Sequence, residues 1–332
     1  MSLVTTYMGI SLRNPFIVGS SPLTEDLDTV KQLEDQGAAA LVLPSLYEEQ
    51  ITSEQLSDFF SYDTHSESFP EATSYSPDPE TAPGPNAYLE HVHRVKKAVG
   101  IPVIASLNGS TPGGWLSYAS LMEEAGADGL ELHLYHPASD PDTSAAEVEQ
   151  QMIQILRDIK GKLKIPVAVK LSPLFTAFAN FALQLDANGA NAIVLFTRFH
   201  KIDFDVIELE VLRRVEFSTS AELDLRLRGT AVLAGRVKAS LAITGGVHTA
   251  IDVIKSTMAG AHATQIVSAL MRHGPEYLQK LRTEVEAWMI ANEWSSLEEM
   301  RGNMSFQRIP NPAVYEREMF RRMFAVSVGA RG

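Results

Sequence analysis

Residues 241–268 read LAITGGVHTAIDVIKSTMAGAHATQIVS, and this stretch predicts the fold. It holds an apolar run, a glycine pair, an amphipathic segment with helical spacing, a Gly-Ala joint and a second apolar run that ends in Ser268. Nearly continuous apolar strands are typical of a parallel sheet that is buried on both faces. The segment therefore predicts two parallel strands joined by a helix.

The same unit recurs along the chain. Glycine followed by alanine also precedes apolar runs at Gly37, Gly126 and Gly189, and glycine there supplies the left-handed backbone that ends a helix. Eight such units favour an α/β fold of the (β/α)8 TIM barrel type over a doubly wound open sheet, because no GxGxxG turn follows the first strand. The predicted strands are Phe16–Val18, Ala39–Leu43, Pro102–Leu107, Gly129–Leu134, Pro166–Leu171, Ala192–Phe196, Leu241–Thr244 and Ala263–Val267.

Three segments lie outside the repeat, which is predicted to form a barrel over residues 1–290. Residues 46–86 are rich in Ser, Pro and aromatic residues and are predicted to form a folded lid at the barrel mouth after the second strand. Residues 197–228 form a second insertion after the sixth strand, and a helix is predicted at Thr230–Ala239. Residues 291–332 are a charged C-terminal extension, either an interface arm or a packed tail.

Composition excludes several classes of function. The 332 residues carry a net charge of −13, which opposes nucleic acid and anionic membranes as partners. No run reaches the roughly 18 apolar residues of a membrane helix, and no signal peptide is visible, so a cytoplasmic protein is expected. The chain has no cysteine, which excludes disulfides, thiolate catalysis and Cys-ligated metal centres.

Polar residues at the carboxyl ends of barrel strands converge on one pocket. Gly245, Gly246 and Ser268 follow the seventh and eighth strands, where barrels often bind phosphate through main-chain N–H groups. Lys170 ends the fifth strand, and a lysine within an apolar strand must find a partner or reach the pocket. We expect Lys170 to stabilise negative charge in the pocket; the alternative is a structural ion pair with Glu131.

The fourth strand carries further candidates. Alternation places Glu131, His133 and Tyr135 on one face, and His136 begins the following loop. Since histidine exchanges protons at neutral pH, His136 is the predicted proton-transfer group and Tyr135 a reserve acid. A loop histidine with only a local hydrogen bond is the alternative. No third ligand converges with His133 and His136, so no metal is predicted.

Four segments, taken in order, resemble dihydroorotate dehydrogenases. They are NPFIVGSSPLT (14–24), GADGLELHLYHP (126–137), IPVAVKLSP (165–173) and LAITGGVHTAIDVIKSTMAGAHATQIVSAL (241–270). The likeness runs from about Leu3 to Leu281 and is greatest to a divergent branch of the class 1, soluble type. It implies FMN as the cofactor, chemistry on a CH–CH bond and a homodimer.

The resemblance also implies a set of cofactor contacts. Lys170 would lie near the flavin ring, and His133 stands where the family has an asparagine that touches flavin and substrate. The implied FMN positions are Gly19, Ser20, Ser45, Asn108, His133, Lys170, Gly245, Gly246, Val267 and Ser268, of which the last four would hold the phosphate with their backbone.

The substrate side departs from the family. Pro44 replaces a lysine that contacts flavin and orotate, His136 replaces the catalytic cysteine, and Thr197 replaces a pyrimidine-binding asparagine. Asn86 only loosely matches the family's substrate loop. Loss of a cation and an amide would leave orotate poorly paired. Thr197 and Asn86 are therefore predicted to bind a different small molecule. Dihydroorotate oxidation, and with it a place in pyrimidine biosynthesis, is the alternative, with His136 as the base in place of the cysteine.

Three functions follow from these residues. The first is an FMN-dependent oxidoreductase in which hydride passes between a small organic substrate and FMN while His136 moves a proton. The second is a barrel aldolase or isomerase that binds a phosphorylated substrate at Gly245-Gly246, with Lys170 as the nucleophile. The third is a non-catalytic FMN-binding protein.

Overall fold

The computed structural model describes residues 1–52, 84–111, 113–136, 139–198, 201–214 and 216–315. Within these ranges, eight parallel strands close into a barrel, and two further pairs of strands form antiparallel hairpins. The strands are β1 (Thr5–Tyr7), β2 (Ile10–Leu12), β3 (Phe16–Val18), β4 (Ala40–Tyr47), β5 (Val103–Gly109), β6 (Gly129–Leu134), β7 (Val167–Leu171), β8 (Ala192–Leu195), β9 (Lys201–Asp205), β10 (Glu210–Arg214), β11 (Ser240–Thr244) and β12 (Ala263–Ile266).

The barrel confirms the predicted α/β fold. Its strands follow the chain order β3, β4, β5, β6, β7, β8, β11 and β12, and β12 pairs with β3 to close the ring. Their residues are almost all buried because helices cover the outside of the barrel and side chains fill the inside. Each of the eight predicted strands is present, with ends that differ by a few residues.

In the described residues, seven helices connect consecutive barrel strands and three follow the last strand. They are α1 (Leu27–Asp35), α2 (Pro85–Ala98), α3 (Ser117–Glu124), α4 (Ala145–Lys160), α5 (Phe178–Ala187), α6 (Leu223–Leu233), α7 (Ala250–Ala259), α8 (Ser268–His273), α9 (Tyr277–Ala291) and α10 (Leu297–Met300). The glycines of the four Gly-Ala joints have positive φ, between 92° and 124°, as helix-ending glycines should.

The hairpin of β1 and β2 closes the amino-terminal end of the barrel. Tyr7, Met8 and Leu12 pack against interior residues such as Val42 and Ala168. This end of the barrel is therefore filled by apolar side chains, and the opposite end is free to carry chemistry.

Part of the first insertion belongs to regular structure. β4 continues to Tyr47 after a register shift between Val42 and Ser45, and α2 already begins at Pro85. The predicted lid falls largely on residues 53–83, which lie outside the described residues.

The second insertion contains the hairpin of β9 and β10 and then the start of α6. The helix predicted at Thr230–Ala239 is wrong, since α6 spans Leu223–Leu233. Gly229 lies inside α6, where a Cβ would stand 2.9 Å from Cζ of the Phe196 ring, so a larger residue does not fit there. Arg226, whose charge is typical of a solvated face, is buried.

The described part of the C-terminal extension packs on the barrel. Leu297 and Met300 of α10 are buried, and the Leu297 amide donates to the Ser2 carbonyl. Phe306 donates its amide to the Ala231 carbonyl of α6. A packed tail is therefore observed up to residue 315.

No helix in the described residues is long and apolar enough to cross a membrane.

Candidate active site

Two adjoining cavities lie at the carboxyl ends of the barrel strands. The smaller has a volume of 190 Å³ and the larger a volume of 840 Å³. Ser20, Arg198, Val267 and Ser268 line both, so the two form one continuous site. The remaining residues of the smaller cavity are Lys170, Thr197, Ser218, Thr244, Gly245, Gly246, Val247 and Gln265.

The glycine pair forms a tight turn on the wall of the smaller cavity. Gly245 and Gly246 both have φ of +80°, a conformation that side chains with a Cβ adopt at a cost. A Cβ on Gly246 would lie 2.7 Å from the amide nitrogen of Leu223, at the start of α6. Glycine at this position therefore lets the turn approach the helix closely and leaves its main chain exposed to the cavity.

Lys170 reaches the same cavity and is also paired inside the barrel. Its ammonium lies 3.1 Å from Glu131 Oε1, and the two side chains are 12% and 1% exposed. Gln265 donates its amide N–H to the other oxygen of Glu131. Lys170 is thus held by the ion pair with Glu131 and also lines the cavity with Gly246, and its role in stabilising negative charge there stays a prediction.

Gln265 keeps an unused acceptor at the cavity. Its Oε1 is buried and has no hydrogen-bond partner within the described part of the chain. An orphaned buried oxygen costs free energy unless a ligand or water donates to it. The site is therefore suited to a polar ligand.

His133 is held by a neighbour on β5. Its Nδ1 lies 2.9 Å from the Asn108 amide nitrogen, which donates the hydrogen bond, so the proton of the neutral ring is on Nε2. Burial, and then the charge of Lys170, lower the pKa of His133 to about 3. Neither Asn108 nor His133 lines the two cavities, and His133 Nε2 has no partner among described residues.

We expect the acid sensitivity of the fold to include His133. Its pKa in the folded chain lies below the unfolded value of about 6.5, so its contribution is complete above pH ~6.5 and is lost as the pH falls toward 3. Urea unfolding should show that the free energy of unfolding falls between pH 7 and pH 5. We expect this fall to be about 2 kcal/mol larger in the wild type than in His133→Asn. Equal falls in the two proteins would contradict the lowered pKa of His133. His262, whose pKa is lowered to about 4, is present in both proteins and therefore does not affect the difference between them.

Three serine hydroxyls lie close together beside the larger cavity, and two of them, Ser20 and Ser45, line it. Ser45 Oγ lies 2.7 Å from Ser106 Oγ and 3.5 Å from Ser20 Oγ, which joins β4, β5 and the loop after β3. Gly19 comes directly before Ser20, and a Cβ on Gly19 would lie 2.9 Å from Cγ2 of Val267. The fold therefore brings together four of the positions that the resemblance implies for FMN. They are Gly19, Ser20, Ser45 and Val267.

The second insertion supplies residues that the sequence did not reveal. Ser218 lines the smaller cavity, its hydroxyl lies 2.8 Å from His248 Nε2, and its amide donates to Ser268 Oγ. Burial is the main cause that lowers the pKa of His248. Arg198 forms a bidentate pair with Glu222, at 2.9 and 3.0 Å. Such contacts depend on how a long loop folds back, which no local pattern encodes.

The remaining predicted residues lie away from the two cavities. His136 is half-buried in the loop after β6, Tyr135 is partly exposed, and Asn86 is exposed on α2; none of the three lines a cavity. Thr197, by contrast, is buried and lines the smaller cavity. No group of three or more His, Asp or Glu side chains with metal-binding geometry occurs in the described ranges.

Comparisons with known proteins give a consistent result. The family model described as dihydroorotate dehydrogenase matches residues 81–289. The catalytic subunit of dihydroorotate dehydrogenase B (NAD(+)) from Thermoplasma volcanium is 29% identical over 315 residues, which cover 90% of this chain and 97% of that protein. The same subunit from Methanothermobacter thermautotrophicus is 26% identical over 314 residues, with 90% and 97% covered. Chloroplastic dihydropyrimidine dehydrogenase (NADP(+)) of Arabidopsis thaliana is 22% identical over 333 residues, with 91% and 76% covered.

The barrel, the glycine-lined cavity and these relatives define an oxidoreductase that acts on CH–CH bonds. The aldolase and the non-catalytic alternatives are not favoured by any relative named above. The chain belongs to the dihydroorotate dehydrogenase family.

Proposed function

We propose that the cofactor is FMN and that the chain transfers hydride between FMN and a small organic substrate. The main support for this proposal is the lining of the smaller cavity. The Gly245-Gly246 turn, Ser268 and Lys170 all line it, and it adjoins the larger cavity. The residues fit the group: a Cβ on either glycine would collide with α6 residues, and the unpaired Oε1 of Gln265 is available to accept a hydrogen bond from a ligand.

Each residue has a task in the proposed reaction. Bound FMN supplies the two-electron acceptor that no side chain offers. The glycine turn and Ser268 would hold the phosphate, and Lys170 would stabilise negative charge on the ring. As one carbon of the substrate gives up hydride, its neighbour loses a proton, and a C=C bond forms between them. His136, in the loop after β6, is the proposed acceptor of that proton although it does not line either cavity, so the reaction requires this loop to bring it to the substrate. Tyr135 is the reserve acid in the same loop.

The proposed substrate differs from dihydroorotate. Pro44 lines the larger cavity, so the cation that the family uses for orotate is missing at that point, and Thr197 offers a hydroxyl in place of an amide. The walls of the larger cavity include Leu46, Phe217 and Met271, which suit an apolar molecule. A small, largely apolar substrate with a reducible or oxidisable carbon–carbon bond fits these walls.

The buried ion pair argues against the aldolase reading. An amine nucleophile must be free to attack a carbonyl carbon, whereas the Lys170 nitrogen is held 3.1 Å from Glu131 Oε1 inside the barrel. Lys170 is therefore proposed as a fixed positive charge beside the cofactor and not as a Schiff-base residue.

Absorbance and mass spectrometry of the purified protein test the cofactor. We expect a yellow protein that releases FMN on denaturation; a colourless protein that takes up no added FMN would overturn the proposal. His136→Ala should keep the flavin but slow its reduction by an active substrate about 100-fold or more, whereas the exposed His93→Ala on α2 should leave the rate unchanged. Equal rates in the two variants would remove His136 from the mechanism.

We also propose the homodimer that the resemblance implies. The hairpin of β9 and β10 exposes Phe204, Ile207, Leu209 and Val211, and an isolated two-stranded hairpin is only marginally stable in water. Light scattering should give twice the chain mass for the wild type and the chain mass for Ile207→Asp. A wild-type protein of single chain mass would contradict the proposal.

A further inference from the structure

Arg226 is a buried cation beside the glycine turn. It is 6% exposed, and its three hydrogen bonds to described residues go to main-chain carbonyls of Thr244, Glu222 and Phe196. Within the described ranges, no carboxylate lies within ion-pair distance of its guanidinium. Carbonyl groups satisfy its N–H donors but do not neutralise its charge.

The neighbouring charges leave a surplus of one positive charge. Glu222 is the acidic group that acts on Arg226, but both of its oxygens are engaged by Arg198. Burial lowers the pKa of Arg226, and the charge of Arg198 lowers it further, while the attraction of Glu222 raises it. A guanidinium stays protonated nevertheless. Because an uncompensated buried charge is costly, an anion bound nearby would stabilise this cluster.

The guanidinium lies against the turn that lines the smaller cavity. A Cβ on Gly245 would stand 2.9 Å from Nη2 and 3.1 Å from Nε of Arg226. Gly245 lines the cavity and Arg226 does not, so the main chain of one residue separates the charge from the cavity. The bond from Nε to the Thr244 carbonyl also fixes the peptide that leads into the turn.

We propose that Arg226 is the counter-charge of the anion held by the Gly245-Gly246 turn, and that it makes the site select a phosphate ester over the corresponding neutral alcohol. It is a positioning residue, since it acts through the turn and does not touch the ligand. This inference rests on the proposed function for the identity of the ester, FMN, but its charge argument holds for any phosphate bound there.

Binding of FMN and of riboflavin to the flavin-free protein tests the proposal, because the two ligands differ by the phosphate alone. Arg226→Gln should lower the preference for FMN over riboflavin about tenfold or more, with riboflavin affinity unchanged. Arg226→Lys keeps the charge and should stay within about threefold of the wild-type preference. Arg228→Gln, an exposed arginine on the same helix, is the matched control and should leave the preference unchanged.

The outcomes separate this inference from the proposed function. If Arg226→Gln keeps the wild-type preference, or if Arg226→Lys loses as much as Arg226→Gln, the charge role is overturned even though FMN binds. If the wild type binds neither flavin, the proposed cofactor is wrong. The role of Arg226 is then tested with inorganic phosphate as the ligand. Phosphate should raise the Tm of the wild type and of Arg228→Gln but not of Arg226→Gln; no rise in the wild type would overturn the inference as well.

Discussion

Replacing Gly246 with alanine is expected to remove most of the bound flavin and to destabilise the fold. The new Cβ would lie 2.7 Å from the Leu223 amide nitrogen and 3.0 Å from its Cα, and the residue would keep a φ of +80°. These are main-chain atoms at the start of a helix, so they cannot move aside cheaply. Backbone strain and overpacking together should lower the free energy of unfolding by about 2–5 kcal/mol.

Gly9 provides the matched control for this substitution. It has nearly the same φ, +82°, but a Cβ there would meet nothing within 4 Å. Gly9→Ala should therefore cost only the backbone strain, about 1–2 kcal/mol, and leave flavin content unchanged. Urea unfolding and flavin-to-protein ratios of the two variants give the comparison. If both variants retain flavin equally and have the same free energy of unfolding, the close approach of the turn to α6 does not matter.

The barrel could be predicted from the sequence because its signals are local. Each buried strand is a short apolar run, and each Gly-Ala joint marks the end of a helix, as at Gly37 and Gly260. The closing pair of β12 with β3 follows once eight such units are counted. The positions of Lys170 and Gly246 then follow from the rule that carboxyl ends of barrel strands share one mouth.

The charge arrangement around the turn could not be predicted in the same way. Arg226 lies in α6, whereas the sequence predicts a helix only from Thr230 onward, since the charges of Arg226 and Arg228 are typical of a solvated face. With the helix beginning at Leu223, the spacing of Leu223, Arg226 and Thr230 places all three on the buried face. The pairing of Ser218 with His248 joins residues 30 positions apart through a loop, and only the fold brings them together.

Replacing Glu131 with glutamine is expected to be the most destabilising charge substitution in the barrel. It would leave the ammonium of Lys170, at 12% exposure, without its partner at 3.1 Å. Loss of one member of a buried pair costs about 3–5 kcal/mol, because the remaining charge stays desolvated. Urea unfolding should show this fall in the free energy of unfolding.

Two further variants separate charge from shape in this prediction. Glu286→Gln breaks an exposed pair with Arg282 at 2.9 Å within α9 and should change the free energy of unfolding by no more than about 0.5 kcal/mol. The double variant Glu131→Gln with Lys170→Met removes both charges and should recover much of the lost stability, because no buried charge remains. A double variant as unstable as Glu131→Gln alone would show that the packing of Glu131 and its bond from Gln265, and not the unpaired ammonium, govern this part of the barrel. The double variant could also recover stability but not flavin binding. That result would show that the barrel folds without the ion pair and that Lys170 is needed for the cofactor.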